Sequence, residues 1–108
     1  MNMIYQTNAS KGMALMNEKN GREWVLDFDL ESFDITLICT CVVGQHYGDY
    51  EEGLRDLFDM PDDTDLSEMT PDAIRHGFDG HSGADMPQLQ AEWTALISDQ
   101  KAELACTS

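Results

Sequence analysis

CTCVVGQHYGDYEEGL, residues 39–54, contains the signals that decide the fold. Gly48 is suited to end a helix, because glycine readily adopts the left-handed conformation found there. Asp49, with Glu52 three residues later, has the form of a capping box and predicts the start of a second helix. The residues before Gly48 that recur at the spacing of one helical face are Cys39, Val42, Val43, His46 and Tyr47. The stretch therefore predicts two short helices joined by a tight turn.

A buried strand is the competing interpretation of the first half of this stretch. ITLICTCVV, residues 35–43, is continuous, apolar and rich in β-branched residues, which is typical of strands. The stop signal at Gly48 and the start signal at Asp49 favour the helix from Cys39 onward.

Three further helices are predicted on either side. Residues 7–18 place Ala9, Met13 and Met16 on one face, with Thr7 or Asn8 as the cap. Thr70 is expected to cap a short helix that has Pro71 at its first position and ends near residues 76–77. The last helix is predicted to begin at Asp85 and Gln88 and to reach about residue 104, with an apolar stripe of Leu89, Trp93, Leu96 and Ile97.

Residues 24–30 carry a different pattern. Their large apolar side chains alternate, which predicts a short strand or an extended arm. Asp29 is expected to cap a single helical turn that holds Leu30 and Phe33.

These elements predict a mainly α protein, a small bundle of four or five helices with a short N-terminal strand or extended arm as an option. Residues 1–108 are expected to form a single domain, with residues 1–6 and 105–108 as frayed termini. Cys41, Val42 and Tyr47 are predicted to pack against Trp93 and Ile97. The expected core is Cys41, Val42, Tyr47, Leu54, Trp93 and Ile97, and the expected helix caps are Asp49, Glu52, Thr70 and Asp85.

Charge is the strongest compositional feature. The net charge is −15, and residues 23–74 hold fifteen acidic residues against one basic residue, Arg55. Such a surface repels nucleic acid and anionic membranes and attracts a protein with a basic surface. The alternative is that the acidic residues only keep the protein dispersed. The residues expected to face a partner, having no capping role, are Glu51, Asp56, Asp59, Asp62, Asp63 and Asp65.

Localisation follows from what the sequence lacks. No run approaches the ~18 apolar residues of a membrane span, and no secretory signal is recognised at the N-terminus. The three cysteines are an odd number, which is typical of a reduced, cytoplasmic protein.

A metal site is the weaker alternative for the cysteines and histidines. Structural zinc usually uses two thiolates spaced by two to four residues, whereas Cys39 and Cys41 are spaced by one. On a helix these two thiols would point apart, although on a strand they would share a face. GHSGA, residues 80–84, approaches the nucleophile elbow but lacks its sheet context. We therefore expect no catalytic residue, no metal and no cofactor.

Taken in order, several motifs resemble a family of small uncharacterised proteins of bacteriophages and prophages from actinobacterial and Gram-positive hosts. The motifs are Trp24, CVVGQ at 41–45, YGDYEEGL at 47–54, HGFD at 76–79 and Leu89 with Trp93. The similarity covers roughly residues 5–100, with Val43 where leucine is usual and Cys39 as an addition. The family has no established activity, so the resemblance implies a phage accessory protein and carries over no site residue.

The expected function is therefore a non-enzymatic accessory protein that binds a protein of the bacterial host through its acidic middle. One alternative is a DNA mimic that inhibits a nucleic-acid-binding host protein. A second is a metal-binding protein that uses Cys39, Cys41 and the histidines.

Overall fold

Six helices follow one another along residues 3–37, 39–81 and 83–106, the part of the chain that the computed structural model describes. No strand occurs in these ranges, which confirms the prediction of a mainly α fold. Four of the helices are eight residues or longer. In chain order they are α1 (Met3–Asn20), a 3-10 helix (Arg22–Asp27), α2 (Val42–Tyr47), α3 (Tyr50–Leu57), α4 (Leu66–Arg75) and α5 (Met86–Cys106).

The two longest helices, α1 and α5, pack against each other, and the 3-10 helix packs on both. An amide pair joins them, because Asn17 and Gln100 exchange two hydrogen bonds of 2.9 and 2.8 Å. The indole of Trp24 donates to the same Asn17 Oδ1 at 2.8 Å. Gln100 is a buried polar residue, and this network satisfies its amide.

The N-terminal helix is longer than predicted. Its buried face includes Ala9, Met13 and Met16, as the spacing predicted, but it begins at Met3. Thr7 and Asn8 therefore lie inside the helix, and their prediction as caps is wrong.

Residues 3–6, expected to be frayed, belong to α1, and Tyr5 among them is buried. Residues 105 and 106 belong to α5, and residues 1–2 and 107–108 lie outside the described residues.

The predicted strand near residues 24–30 is wrong, since a 3-10 helix occupies Arg22–Asp27. Trp24, Val25 and Phe28 are buried, whereas Leu26 is 55% exposed. The buried positions thus follow helical rather than alternating spacing. Asp29 organises the turn that follows, accepting hydrogen bonds from the Glu31 N–H at 3.0 Å and the Ser32 hydroxyl at 2.7 Å.

The opening stretch forms two helices and a turn. Gly48 ends α2 in the left-handed conformation, with φ of 79°. Asp49 Oδ1 accepts from the Glu52 N–H at 3.0 Å and caps α3. Within the described residues, no bond returns from the Glu52 carboxylate to the Asp49 N–H, so only half of the predicted capping box forms.

The start of α2 lies later than predicted. Cys41 is its N-cap, and its Sγ accepts from the Gly44 N–H at 3.4 Å. Cys39 precedes the helix in a turn and is exposed. The competing strand over residues 35–43 is also wrong in its described part, while Ile38 lies outside the described residues.

The helix predicted to begin at Thr70 begins one turn earlier. Asp65 occupies the N-cap position of α4, and Pro71 lies inside the helix. Thr70 donates its hydroxyl hydrogen to the Leu66 carbonyl at 3.0 Å, so its prediction as a cap is wrong. The earlier start places Met69 and Ala73, both fully buried, on one face at a spacing of four residues.

The start of α5 lies where the sequence indicates. Asp85 Oδ1 accepts from the Gln88 N–H at 3.1 Å, and the Asp85 carbonyl accepts from the Leu89 N–H at 3.1 Å. Leu89, Trp93 and Ile97 are buried along the helix. None of the helices described is long and apolar enough to cross a membrane.

The expected core residues do not all pack as predicted. Cys41, Val42, Leu54, Trp93 and Ile97 are buried, but Tyr47 is only half-buried. The main neighbour of α2 is α3, and the main neighbours of α5 are α1 and the 3-10 helix. Cys41 and Val42 share one core cluster with Trp93 and Ile97, but the predicted packing of α2 against α5 is not among the main contacts between helices.

Replacing Asp49 by alanine is expected to lower the free energy of unfolding by about 1 kcal/mol, because the Glu52 N–H loses its acceptor. Asp49→Asn keeps an acceptor oxygen and should cost much less. Glu52→Gln should also leave stability nearly unchanged, since its carboxylate makes no return bond. Urea unfolding of the three variants measures this, and equal losses for Asp49→Ala and Glu52→Gln would contradict the assignment.

Candidate functional site

An acidic groove runs along α3 and the loop that follows it. We call it the α3 groove. It has a volume of about 600 Å³. Its lining residues are Glu52, Arg55, Asp56, Asp59, Met60 and Asp62.

A second groove lies next to the first on the same helix. This Cys39 groove has a volume of about 510 Å³ and is lined by Cys39, Gly48, Asp49, Tyr50, Glu51, Glu52, Arg55 and Leu66. Glu52 and Arg55 line both grooves, so the two grooves adjoin and together make up the surface around α3. Six carboxylates line this surface.

Arg55 is the single cation among the described residues that line either groove. Its Nε and Nη2 donate to the Thr64 carbonyl at 3.1 and 3.0 Å. Its Nη2 also donates to Glu51 Oε2 at 3.1 Å. The guanidinium is thus held between α3 and the start of α4, and it ties the loop that carries Asp59 and Asp62 to the helix.

Asp56 is held by a tyrosine from the neighbouring helix. The Tyr47 hydroxyl donates to Asp56 Oδ2 at 2.9 Å. Burial raises the pKa of Tyr47 to about 12, so the phenol stays protonated and remains a donor at neutral pH. The Tyr47 hydroxyl therefore orients the Asp56 carboxylate in the α3 groove.

Asp59 pairs with a cation from α1, since Lys19 Nζ lies 2.6 Å from its Oδ1. The Asp59 side chain is 80% exposed, and exposed pairs of this kind contribute little to stability. Glu51, Asp56 and Asp59 thus each have a local partner, although none of them caps a helix. The exposed Lys19–Asp59 pair is weak enough for Asp59 to exchange partners.

The six acidic residues predicted to face a partner are all exposed, but they do not lie together equally. Glu51, Asp56, Asp59 and Asp62 line the two grooves. Asp63 and Asp65 lie in the same loop outside both linings, and Asp65 occupies the N-cap position of α4. The prediction omitted Arg55, which the Glu51–Arg55 spacing of four residues could have indicated.

The cysteines and histidines are not brought together. Among residues 3–37, 39–81 and 83–106, no group of three or more histidine, cysteine and acidic side chains could hold a metal ion. Cys41 is buried at the start of α2, whereas Cys39 is exposed. Ser82 of the GHSGA motif lies outside the described residues.

Burial raises the pKa of the Cys41 thiol, and Cys39 and Cys106 are exposed. Because the thiolate is the reactive form, we expect two of the three thiols to react quickly with a disulfide reagent at neutral pH. Cys41 should react only when the protein unfolds. Thiol titration with and without denaturant, on wild type and Cys39→Ser, measures this. Three rapidly reacting thiols in the folded protein would contradict the burial of Cys41.

Comparison of the chain with protein-family models, curated proteins and solved structures found no match.

Proposed function

We propose that this chain is a non-enzymatic binding protein that engages a basic surface of a partner protein through the α3 groove and the Cys39 groove. One observation carries the proposal: two adjoining grooves, which share Glu52 and Arg55, are lined by six carboxylates and one guanidinium. Concave surfaces of one charge sign focus the electric field and attract groups of opposite charge. Lysine and arginine side chains of a partner match this surface in both charge and hydrogen bonding.

Existing contacts support a binding role over one of dispersal alone. Arg55 fixes the loop against α3, and Tyr47 orients Asp56, so part of the acidic surface is organised before a partner arrives. A partner cation could replace Lys19 at Asp59 with little loss, since that pair is exposed. Organised donors and acceptors reduce the entropic cost of association.

The resemblance to phage proteins remains a prediction, and it would make the partner a protein of a bacterial host. The proposal therefore describes a cytoplasmic, phage-type accessory protein with a host target. Capture of host proteins from bacterial lysate, identified by mass spectrometry, is the first experiment.

Two variants with equal charge changes sharpen that experiment. The groove variant replaces five lining carboxylates with their amides: Glu51→Gln, Glu52→Gln, Asp56→Asn, Asp59→Asn and Asp62→Asn. The control variant neutralises five exposed acidic residues that line neither groove: Glu18→Gln, Glu23→Gln, Glu31→Gln, Glu68→Gln and Asp99→Asn. Both retain Asp49, so the cap of α3 is preserved.

The groove variant should lose capture of the basic partner while the control variant keeps it. Capture by the wild type should weaken as salt rises from about 0.1 M to about 1 M, because the Debye length falls from ~10 Å to ~3 Å. Urea unfolding should show both variants folded, with stabilities within about 1 kcal/mol of each other. Equal capture by all three proteins would overturn the proposal and leave the acidic residues as a solvated surface.

A DNA mimic would be a narrower form of the same function. Duplex DNA added to the capture should then compete for the partner. If DNA does not compete, the mimic hypothesis fails and the binding proposal stands.

A further inference from the structure

A further surface, away from α3, has a single charged residue, Asp34, in its lining. The α5 groove has a volume of about 740 Å³ and a mostly apolar lining. One wall is the loop that contains Phe33, Asp34 and Thr36, and the other is the N-terminal half of α5, from Met86 to Ala95.

Gln90 holds the two walls of the α5 groove together. Its Oε1 accepts from the Ile35 N–H at 3.0 Å, and its Nε2 donates to the Phe33 carbonyl at 2.9 Å. The side-chain amide of Gln90 thus binds the loop backbone as a peptide group would, with one donor and one acceptor. The groove is formed in advance and needs no closing movement to receive a ligand.

The α5 wall is suited to contact with another helix. Ala91 and Ala95 are exposed and line the groove, and such small side chains allow the backbones of two helices to approach closely. Residues 86–98 contain one charged residue, Glu92, in a chain with 27 charged residues among 108.

Net charge favours a cationic partner over a second copy of this chain as the occupant of the α5 groove. A second copy would bring a net charge of −15 against another −15, which opposes association. A cationic occupant is attracted by the same charge. Asp34 supplies a local acceptor at the groove, because the N–H and the hydroxyl of Thr36 both donate to its Oδ1. Its Oδ2 accepts no hydrogen bond from the described residues.

The two hydrogen bonds from Thr36 also hold the pKa of Asp34 below its usual value, so this carboxylate is charged at neutral pH. An apolar groove with one organised carboxylate at its edge matches an amphipathic helix whose apolar face is flanked by lysine or arginine.

We propose that the α5 groove binds a basic amphipathic helix of a partner protein, with apolar side chains against Phe33, Ala91 and Ala95 and a cation at Asp34. The wall from Met86 to Ala95 spans ten residues, or about 14 Å at 1.5 Å per residue. The bound helix therefore contributes about two to three turns, with anchors at i, i+3 or i+4, and i+7. This proposal does not depend on the acidic grooves around α3.

The test uses a labelled synthetic helix of about 14 residues with leucine on one face and lysine on the other. A matched peptide with glutamate in place of lysine is its control. Ala91→Arg with Ala95→Arg blocks the groove with bulk and like charge at exposed helical positions. Ala14→Arg with Ala102→Arg adds the same charge at exposed helical positions outside the groove.

Fluorescence anisotropy should show the lysine peptide binding to wild type and the glutamate peptide failing to bind. Blocking the groove should weaken binding at least about tenfold, and the control variant should change it less than about twofold. Asp34→Asn should weaken binding of the lysine peptide about threefold to tenfold. The glutamate peptide should not bind this variant either.

Three outcomes would overturn the proposal. Equal binding to the blocked and control variants would mean general attraction to the acidic surface. No binding of the lysine peptide to wild type would mean that the groove does not take such a helix. A dimer of the wild type in analytical ultracentrifugation, abolished by Ala91→Arg with Ala95→Arg, would mean that a second copy occupies the groove.

Discussion

Replacing Trp93 by alanine is expected to lower the free energy of unfolding by about 3–5 kcal/mol. Trp93 is fully buried, stacks on Phe78 at 5.6 Å between ring centroids, and donates its indole N–H to the Gly77 carbonyl at 2.6 Å. Alanine leaves a cavity among α1, α5 and the turn after α4, and it leaves that buried carbonyl without its donor. The loss approaches the entire stability of many domains of this size.

Trp93→Phe separates the two contributions. Phenylalanine keeps much of the volume but cannot donate to Gly77, so it should cost about 1–2 kcal/mol. Denaturant unfolding of both variants measures the difference. A loss below about 1 kcal/mol for Trp93→Ala would contradict the burial of this side chain at the centre of the core.

Gly12→Ala is expected to destabilise the protein by about 1–3 kcal/mol, against the usual preference for alanine in a helix. A Cβ at this position would lie 2.1 Å from the His76 carbonyl oxygen and 2.7 Å from the Trp93 ring. The carbonyl belongs to the backbone and cannot turn aside as a side chain can. α1 would have to move away from α4 and α5.

Ala14→Gly, at an exposed position of the same helix, is the control. It should cost about 1 kcal/mol, because only helix propensity changes there. Glycine is therefore expected to be the better residue at position 12 and the worse one at position 14. Thermal or urea unfolding that finds Gly12→Ala as stable as wild type would contradict the close approach of α1 to the His76 carbonyl.

The contrast between Gly12 and Gly48 shows what could be predicted from the sequence. Gly48 and Asp49 act through their own backbone and near neighbours, and local signals of this kind placed the turn between α2 and α3 correctly. Gly12 acts through residues far away in the chain. In the fold it makes room for Trp93, and no local signal in the sequence indicates this contact.

The wrong predictions of secondary structure also concern features that depend on contacts between residues far apart in the chain. The alternation of Trp24, Leu26 and Phe28 suggested a strand, but burial against α1 and α5 selects Trp24 and Val25 and leaves Leu26 exposed. Thr70 and Pro71 had the local form of a helix start, yet burial of Met69 moves the start to Leu66. In both places tertiary contacts override a correct local preference.

The acidic site was only partly predicted, because some of its features also depend on the path of the chain in three dimensions. Composition identified the acidic middle and its exposed residues, including Asp56 and Asp59. It could not show that Arg55 ties the loop to α3, or that the linings of two grooves meet at Glu52, because these features depend on how the chain turns after α3.

The most direct test of the binding proposal is the affinity of the captured partner for the groove variant and the control variant at about 0.1 M and about 1 M salt. We predict that the control variant binds with an affinity and a salt dependence close to those of wild type. The groove variant should bind at least about tenfold more weakly at low salt, with little further change at high salt. Equal affinities and equal salt dependences for the two variants would contradict the proposal that the surface around α3 engages the partner.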